Sequence, residues 1–95
     1  MSAYVIVDID VTDPQGYEAY KQAAPTAVGL FGGTYLARGG RTEVLEGEWR
    51  PDRIVIPAFE SAERARPWLD SAEYAPARKQ RHATARSNVI VVEGL

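Results

Sequence analysis

The sequence predicts an α+β sandwich in the order strand, helix, strand, strand, helix, strand. Three observations predict it. Residues 3–11 alternate as a strand. Three short β-type runs separated by Gly39-Gly40 and the turn GEWRPD fill residues 34–59. Helical stripes flank that centre on both sides. The order is the split βαβ, or ferredoxin-like, pattern. Right-handed crossovers put both helices on one side of the sheet and leave its other side bare.

Each element follows from its own residues. Val5, Val7, Ile9 and Val11 share one face of the first strand; Tyr4, Ile6, Asp8 and Asp10 share the other. Asp13-Pro14 is a capped helix start. Tyr17, Tyr20, Ala24, Val28 and Phe31 continue it as a stripe spaced by threes and fours. Pro25 removes the hydrogen bond to the Lys21 carbonyl, so a kink or break is expected near residues 23–25. Gly32-Gly33 ends the helix. Thr34–Arg38 is a strand, and Thr42–Glu46 is expected as a further strand piece before the turn at Gly47–Asp52; the two are read as pieces of one broken element, with one long bent strand as the alternative. Arg53–Phe59 is the next strand. Pro57 cannot donate to a ladder, which implies a bulge or an unpaired position there. Ser61 caps a helix to about Asp70, with Ala62, Ala65, Trp68 and Leu69 inward and Pro67 straining it. Asp70 or Ser71 starts a second helical piece to about Ala85, and residues 88–93 form the last strand.

Composition bounds the function. Ninety-five residues make one domain, residues 1–95. A net charge of −2 gives no global attraction for nucleic acid or an anionic membrane. Cys is absent, which excludes disulfides and thiolate chemistry. Asp8 and Asp10 interrupt the first apolar run, so no signal peptide is expected and a cytoplasmic location is. No stretch approaches the roughly 20 apolar residues that span a bilayer.

The bare face is the next constraint. Arg53–Phe59 has Ile54, Ile56 and Ala58 on one side and Val55 and Phe59 on the other. Residues 88–93 have Val89 and Val91 against Ile90 and Val92, and the first strand adds Tyr4 and Ile6, so at least six apolar side chains are left with no helix above them. At about 1.5–3 kcal/mol for each buried side chain, leaving them wet forfeits on the order of 10 kcal/mol, comparable to the stability of a whole domain. A homodimer packed sheet to sheet is the expected solution.

Candidate site residues are few. Tyr74, Arg78, Arg81 and His82 recur at helical spacing and could hold a small carboxylate or enolate, with His82 moving a proton near neutral pH. A solvated basic face at a helix C-terminus is the simpler account of the same four. Tyr20 and Trp68 sit on inward stripes and are core first; if a cavity lies between helices and sheet, they wall it. Arg38 is placed with them as a ligand contact. Asp8 and Asp10 are two apart on one strand face. The expectation is that one pairs with an arginine, Arg38 or Arg53, rather than the two working as acid and base. Trp49 is read as an interface residue. His82 is the single histidine. Zinc therefore lacks ligands, and nothing besides that one histidine points to haem. No cofactor or metal is expected. The glycine pairs are not phosphate loops.

At GGTYLARGG, EVLEGEW-R-P and SAEY the chain resembles the domain-of-unknown-function family numbered 1330, within the dimeric α/β-barrel superfamily. The resemblance runs from AYVIVDIDVTDPQGYEAYK to NVIVVEGL. Pro57 and Pro67 depart from it. It implies a ferredoxin-like subunit that dimerises through its sheet, in a superfamily of cofactor-free monooxygenases, haem-handling enzymes, isomerases and binding modules. Two functions follow as expectations. One is a module that binds a small anionic or aromatic metabolite through Tyr20, Arg38, Trp68, Arg78 and Arg81. The other is a cofactor-free monooxygenase or isomerase with His82 and Tyr74 as acid–base groups. A dimer whose surface contacts another protein is a third, with no feature of its own.

Overall fold

The computed structural model describes residues 2–95. Seven elements follow one another: β1 (Ala3–Val11), α1 (Pro14–Leu30), β2 (Thr34–Arg38), β3 (Arg53–Phe59), α2 (Ala62–Asp70), α3 (Ala75–Thr84) and β4 (Ala85–Glu93). The strands form one antiparallel sheet in the order β2-β3-β1-β4. This is the expected ferredoxin-like order, with the second helix divided in two.

The core lies between the helices and one face of the sheet. Val5, Val7 and Ile9 of β1 are buried there with Tyr17, Tyr20, Ala24 and Val28 of α1, Val55 and Phe59 of β3, Trp68 of α2, and Tyr74 and Ala77 beside α3. The opposite face carries Tyr4, Ile6, Ile54 and Ile56, half-buried, and the exposed Ile90 and Val92. The Asp13 side chain accepts from the Gly16 N–H at 3.2 Å and starts α1. The Thr84 carbonyl accepts the N–H groups of Thr12 and Asp13 at 2.8 and 3.0 Å, tying the start of α1 to the end of α3. Gly16 allows that approach, because a Cβ there would meet Thr84 Cγ2 at 2.7 Å.

Four expectations are corrected. The break near residues 23–25 does not occur: α1 runs unbroken through Pro25 to Leu30. The carbonyl of Lys21, which Pro25 leaves without its helical donor, accepts instead from Arg38 Nη2. Thr42–Glu46 is not a strand. It lies in an exposed arm, residues 39–52, where Val44 and Leu45 line a groove with Ile6, Ile54 and Ile56 instead of pairing with the free edge of β2 or β4. The second helical piece starts at Ala75 rather than Asp70 or Ser71. Ser71 Oγ donates to the Trp68 carbonyl at 2.8 Å and accepts the Tyr74 N–H at 3.0 Å, so it spans the gap between the helices. The last strand begins at Ala85, three residues before Asn88.

Pro57 acts as expected, and its effect reaches further. β3 is an inner strand, yet the β1–β3 register passes from Tyr4↔Ala58 to Val7↔Val55 with no pairing at Pro57. On the other side the register shifts between Tyr35 and Ala37, a one-residue bulge at Leu36. Such a shift turns every later side chain to the other face. Arg38 therefore shares a face with Val55 and points towards α1. One proline turns Arg38 towards α1, and the other frees the carbonyl it binds.

Candidate functional site

A polar cluster occupies the core between helices and sheet. Tyr17 and Tyr20 enter from α1, one turn apart, their ring centroids at 5.1 Å. Tyr74 enters from the turn before α3 and meets Tyr20 edge-on at 6.4 Å and Trp68 at 4.6 Å. Phe59 closes the far side against Trp68 at 5.6 Å. The hydroxyls of Tyr20 and Tyr74 share a hydrogen bond of 2.7 Å. Arg81, two turns along α3 from Tyr74, donates from Nη1 to the Tyr74 hydroxyl at 3.1 Å. Tyr35 of β2 faces the same layer, and Arg53 at the start of β3 lies over the Tyr17 ring at 5.5 Å.

Burial holds the phenols of Tyr17, Tyr35 and Tyr74 neutral. Burial, then the neighbouring Tyr20, push Tyr74 far above the usual phenol range. Burial pushes Tyr35 up to about 12 and raises Tyr17 against the pull of Arg53. The cations are not neutralised. Among the described residues two ion pairs form, Glu18–Lys21 at 2.8 Å and Asp70–Arg78 at 3.0 Å. Neither includes Arg81, which is 2% exposed, nor Arg53. Tyr17 Oη, Trp68 Nε1, Arg53 Nε and Arg81 Nε are buried with no partner. The cluster is rich in donors and holds no carboxylate. It can bind an anion or a dense acceptor, but it cannot pass protons through Arg81, whose guanidinium stays charged.

A mouth of about 350 Å³ opens on the cluster at Tyr17 and Arg53, with Val11, Pro14, Glu18, Lys21, Gly39 and Asp52 completing its lining. Glu18 is occupied by Lys21. Asp52 accepts the Val11 N–H at 3.2 Å. A smaller apolar cleft of about 100 Å³ separates α2 from β4 beside Trp68. A hollow of about 280 Å³ lies on the outer flank of α3, against Asp70, Ser71, Arg78, Lys79 and His82.

The sequence-predicted site residues divide between these places. Tyr20, Trp68, Tyr74 and Arg81 come together inside. Arg78 and His82 face outward. Arg78 donates to Asp70 at 3.0 Å and to the Leu69 carbonyl at 3.4 Å. His82 is exposed, with Nε2 at 3.3 Å from Arg81 Nη2. Desolvation, then Arg81 and Arg78, hold its imidazole below the usual range. Arg38 is exposed and lies over the Tyr35 ring at 5.1 Å. The pairing of Asp8 or Asp10 with Arg38 or Arg53 does not form. Asp8 accepts instead from Trp49 Nε1 at 3.3 Å on the bare face. Arg53 pairs in register with buried Ile9, so it stands on the opposite, helix-side face. Sequence reasoning passed over Tyr17, Tyr35 and Arg53 as site residues. Arg53 carried a signal: it shares strand parity with Val55 and Phe59, a charge at a core position. Among the described residues no group of three or more His, Cys, Asp or Glu could hold a metal ion, and no helix is long and apolar enough to cross a membrane.

Solved structures share the fold. A protein of unknown function from Rhodopseudomonas palustris superposes with TM-score 0.81 at 18% identity, over 99% of this chain and 82% of that one. A Nitrosomonas europaea protein provisionally named an antibiotic biosynthesis monooxygenase gives 0.60 at 17%, over 99% and 90%. A cofactor-independent oxygenase from Streptomyces nogalater gives 0.59 at 13%, over 99% and 93%. At these identities the likeness concerns the fold alone. No curated protein matches. The profile of one family, the domain of unknown function DUF1330, matches residues 2–95. The chain therefore belongs to the DUF1330 family.

Proposed function

We propose that this domain binds a small anionic aromatic metabolite between its helices and sheet, as a homodimer joined through the bare face. The observation that carries the ligand is Arg81: a guanidinium 2% exposed, with neutral partners only. A buried charge without a counter-charge costs several kcal/mol. A bound carboxylate or enolate supplies the missing charge, and Tyr20, Tyr74 and Trp68 supply aromatic walls. The dimer is supported by Leu36, Ile90 and Val92, 60%, 57% and 45% exposed on the helix-free side and its edges. The arm supports it too: Val44, Leu45 and Trp49 line a groove with Ile6, Ile54 and Ile56. The domain is expected in the cytoplasm, with no nucleic-acid or membrane partner.

A thermal-shift panel of small carboxylates, phenols, quinones and haem tests the ligand. A compound at 100 times its dissociation constant stabilises the native state by about 2.7 kcal/mol, roughly 10 °C or more in melting temperature for a domain of this size. Silence across the panel removes the binding function.

A second function, cofactor-free oxygenase or isomerase, is favoured by the likeness to the S. nogalater oxygenase. Arg81 and Tyr74 would stabilise an enolate, with neutral Tyr74 as the acid and His82, on the outward side of Arg81 with Nε2 3.3 Å from its Nη2, as the base. Holding its imidazole below the usual range keeps His82 unprotonated at neutral pH. Oxygen uptake with the bound compound, lost in His82→Ala, supports it. Wild-type uptake in that variant removes His82 as the base.

A further inference from the structure

We propose that the ligand is a two-ended acid: one anionic oxygen seats on Arg81, a second on Arg53, and the Tyr17 hydroxyl donates between them. This rests on the binding function above and names the class of ligand. Two cations serve this layer, and neither has a carboxylate. Arg81 is fully enclosed, while Arg53 is half-buried and forms part of the mouth. Arg53 lies over the Tyr17 ring at 5.5 Å, Tyr17 packs on Tyr20 at 5.1 Å, and the Tyr20 hydroxyl bonds the Tyr74 hydroxyl that Arg81 also binds, so a row of phenols joins the two charges. Each offers a buried Nε–H without a partner, and so does the Tyr17 hydroxyl. A monocarboxylate can neutralise one guanidinium and leaves the other as it is.

The mouth is shaped for the second seat. Gly39 has φ +71°, and a Cβ there would come within 2.0 Å of Arg53 Nη1, so the guanidinium occupies space that any other residue would fill. Of the two acids at the rim, Glu18 is paired with Lys21 and Asp52 is turned to the Val11 N–H. Tyr17 lines the mouth beside Arg53, and its buried hydroxyl is left without a hydrogen-bond partner there.

Isothermal titration with benzoate and isophthalate at one pH and ionic strength tests the inference. The dicarboxylate is expected to bind at least tenfold more tightly than benzoate. In Arg53→Gln that preference is expected to fall to about one. Because Arg53 also packs over the Tyr17 ring, the melting temperature of the variant is read beside the titration, and an unchanged value shows that the lost preference is not lost packing. Equal affinities in the wild type overturn the two-ended ligand and leave the binding function standing. A preference that survives in Arg53→Gln overturns Arg53 as the second seat. Binding of neither acid overturns both.

Discussion

Arg78 and Arg81 lie less than one turn apart on α3 and meet opposite surroundings. Arg78 is on the outer flank, half-exposed, with the Asp70 carboxylate at 3.0 Å. Arg81 is on the inner flank, 2% exposed, bonded to a phenol and beside an imidazole. The first has the partner a structural surface arginine has. The second has the environment of a cation kept for a ligand. The comparison teaches that charge at helical spacing does not define a site; the missing counter-charge does.

The largest expected difference between the two is in binding. Arg81→Met should weaken a bound aromatic carboxylate by at least 100-fold by calorimetry, and Arg78→Met by less than twofold. Equal losses would erase the distinction and restore the four-residue stripe as one site. A smaller effect tests the inner network. Tyr20→Phe removes the 2.7 Å bond to Tyr74 and should cost about 1 kcal/mol, roughly 4–8 °C in melting temperature for a domain of this size. On the outer flank, Asp70→Asn should cost less, about 0.2–1 kcal/mol. That loss should vanish at high salt, because an exposed pair is screened. A Tyr20→Phe deficit that also vanished with salt would contradict the inner assignment.

The smallest effect is with pH. The folded state holds the His82 imidazole below its usual range, so the unfolded chain binds the proton more tightly. That contribution to stability is present above the unfolded histidine pKa of about 6.5 and is lost as pH falls below it. Melting curves from pH 8 to 5 should show a slightly shallower decline in His82→Gln than in the wild type. Arg81→Met should flatten the decline as well, since Arg81 is one cause of the shift.

The fold was legible because periodicity carries it. Val5, Val7 and Ile9, the Asp13-Pro14 start and the Gly32 stop each act within a few residues, and the structure keeps them all. What the sequence hid depends on distant partners. Pro25 looked like a helix breaker because the Arg38 donor for the Lys21 carbonyl comes from another strand. Thr42–Glu46 reads as a strand by residue type, but Val44 and Leu45 line a groove with the distant Ile6, Ile54 and Ile56 instead of joining a sheet edge. The site was half legible. Tyr20, Trp68, Tyr74 and Arg81 lie on stripes that can be counted, whereas helical spacing could not divide Arg81 from Arg78 without knowing that Asp70 stands outside. Arg53 was readable as a charge at a core parity, yet its orientation depends on the gap that Gly39 leaves.

The melting temperature of ligand-free Arg81→Met tests the central claim most directly. Tyr74 keeps its bond to Tyr20 in that variant, so no inner hydroxyl is orphaned. If Arg81 is a buried cation waiting for an anion, replacing it with a side chain of similar length removes a desolvation cost. The variant should then melt higher than the wild type, by about 1 kcal/mol or more of added stability. A lower melting temperature would contradict the account, because it would make Arg81 a structural residue whose partners are already complete.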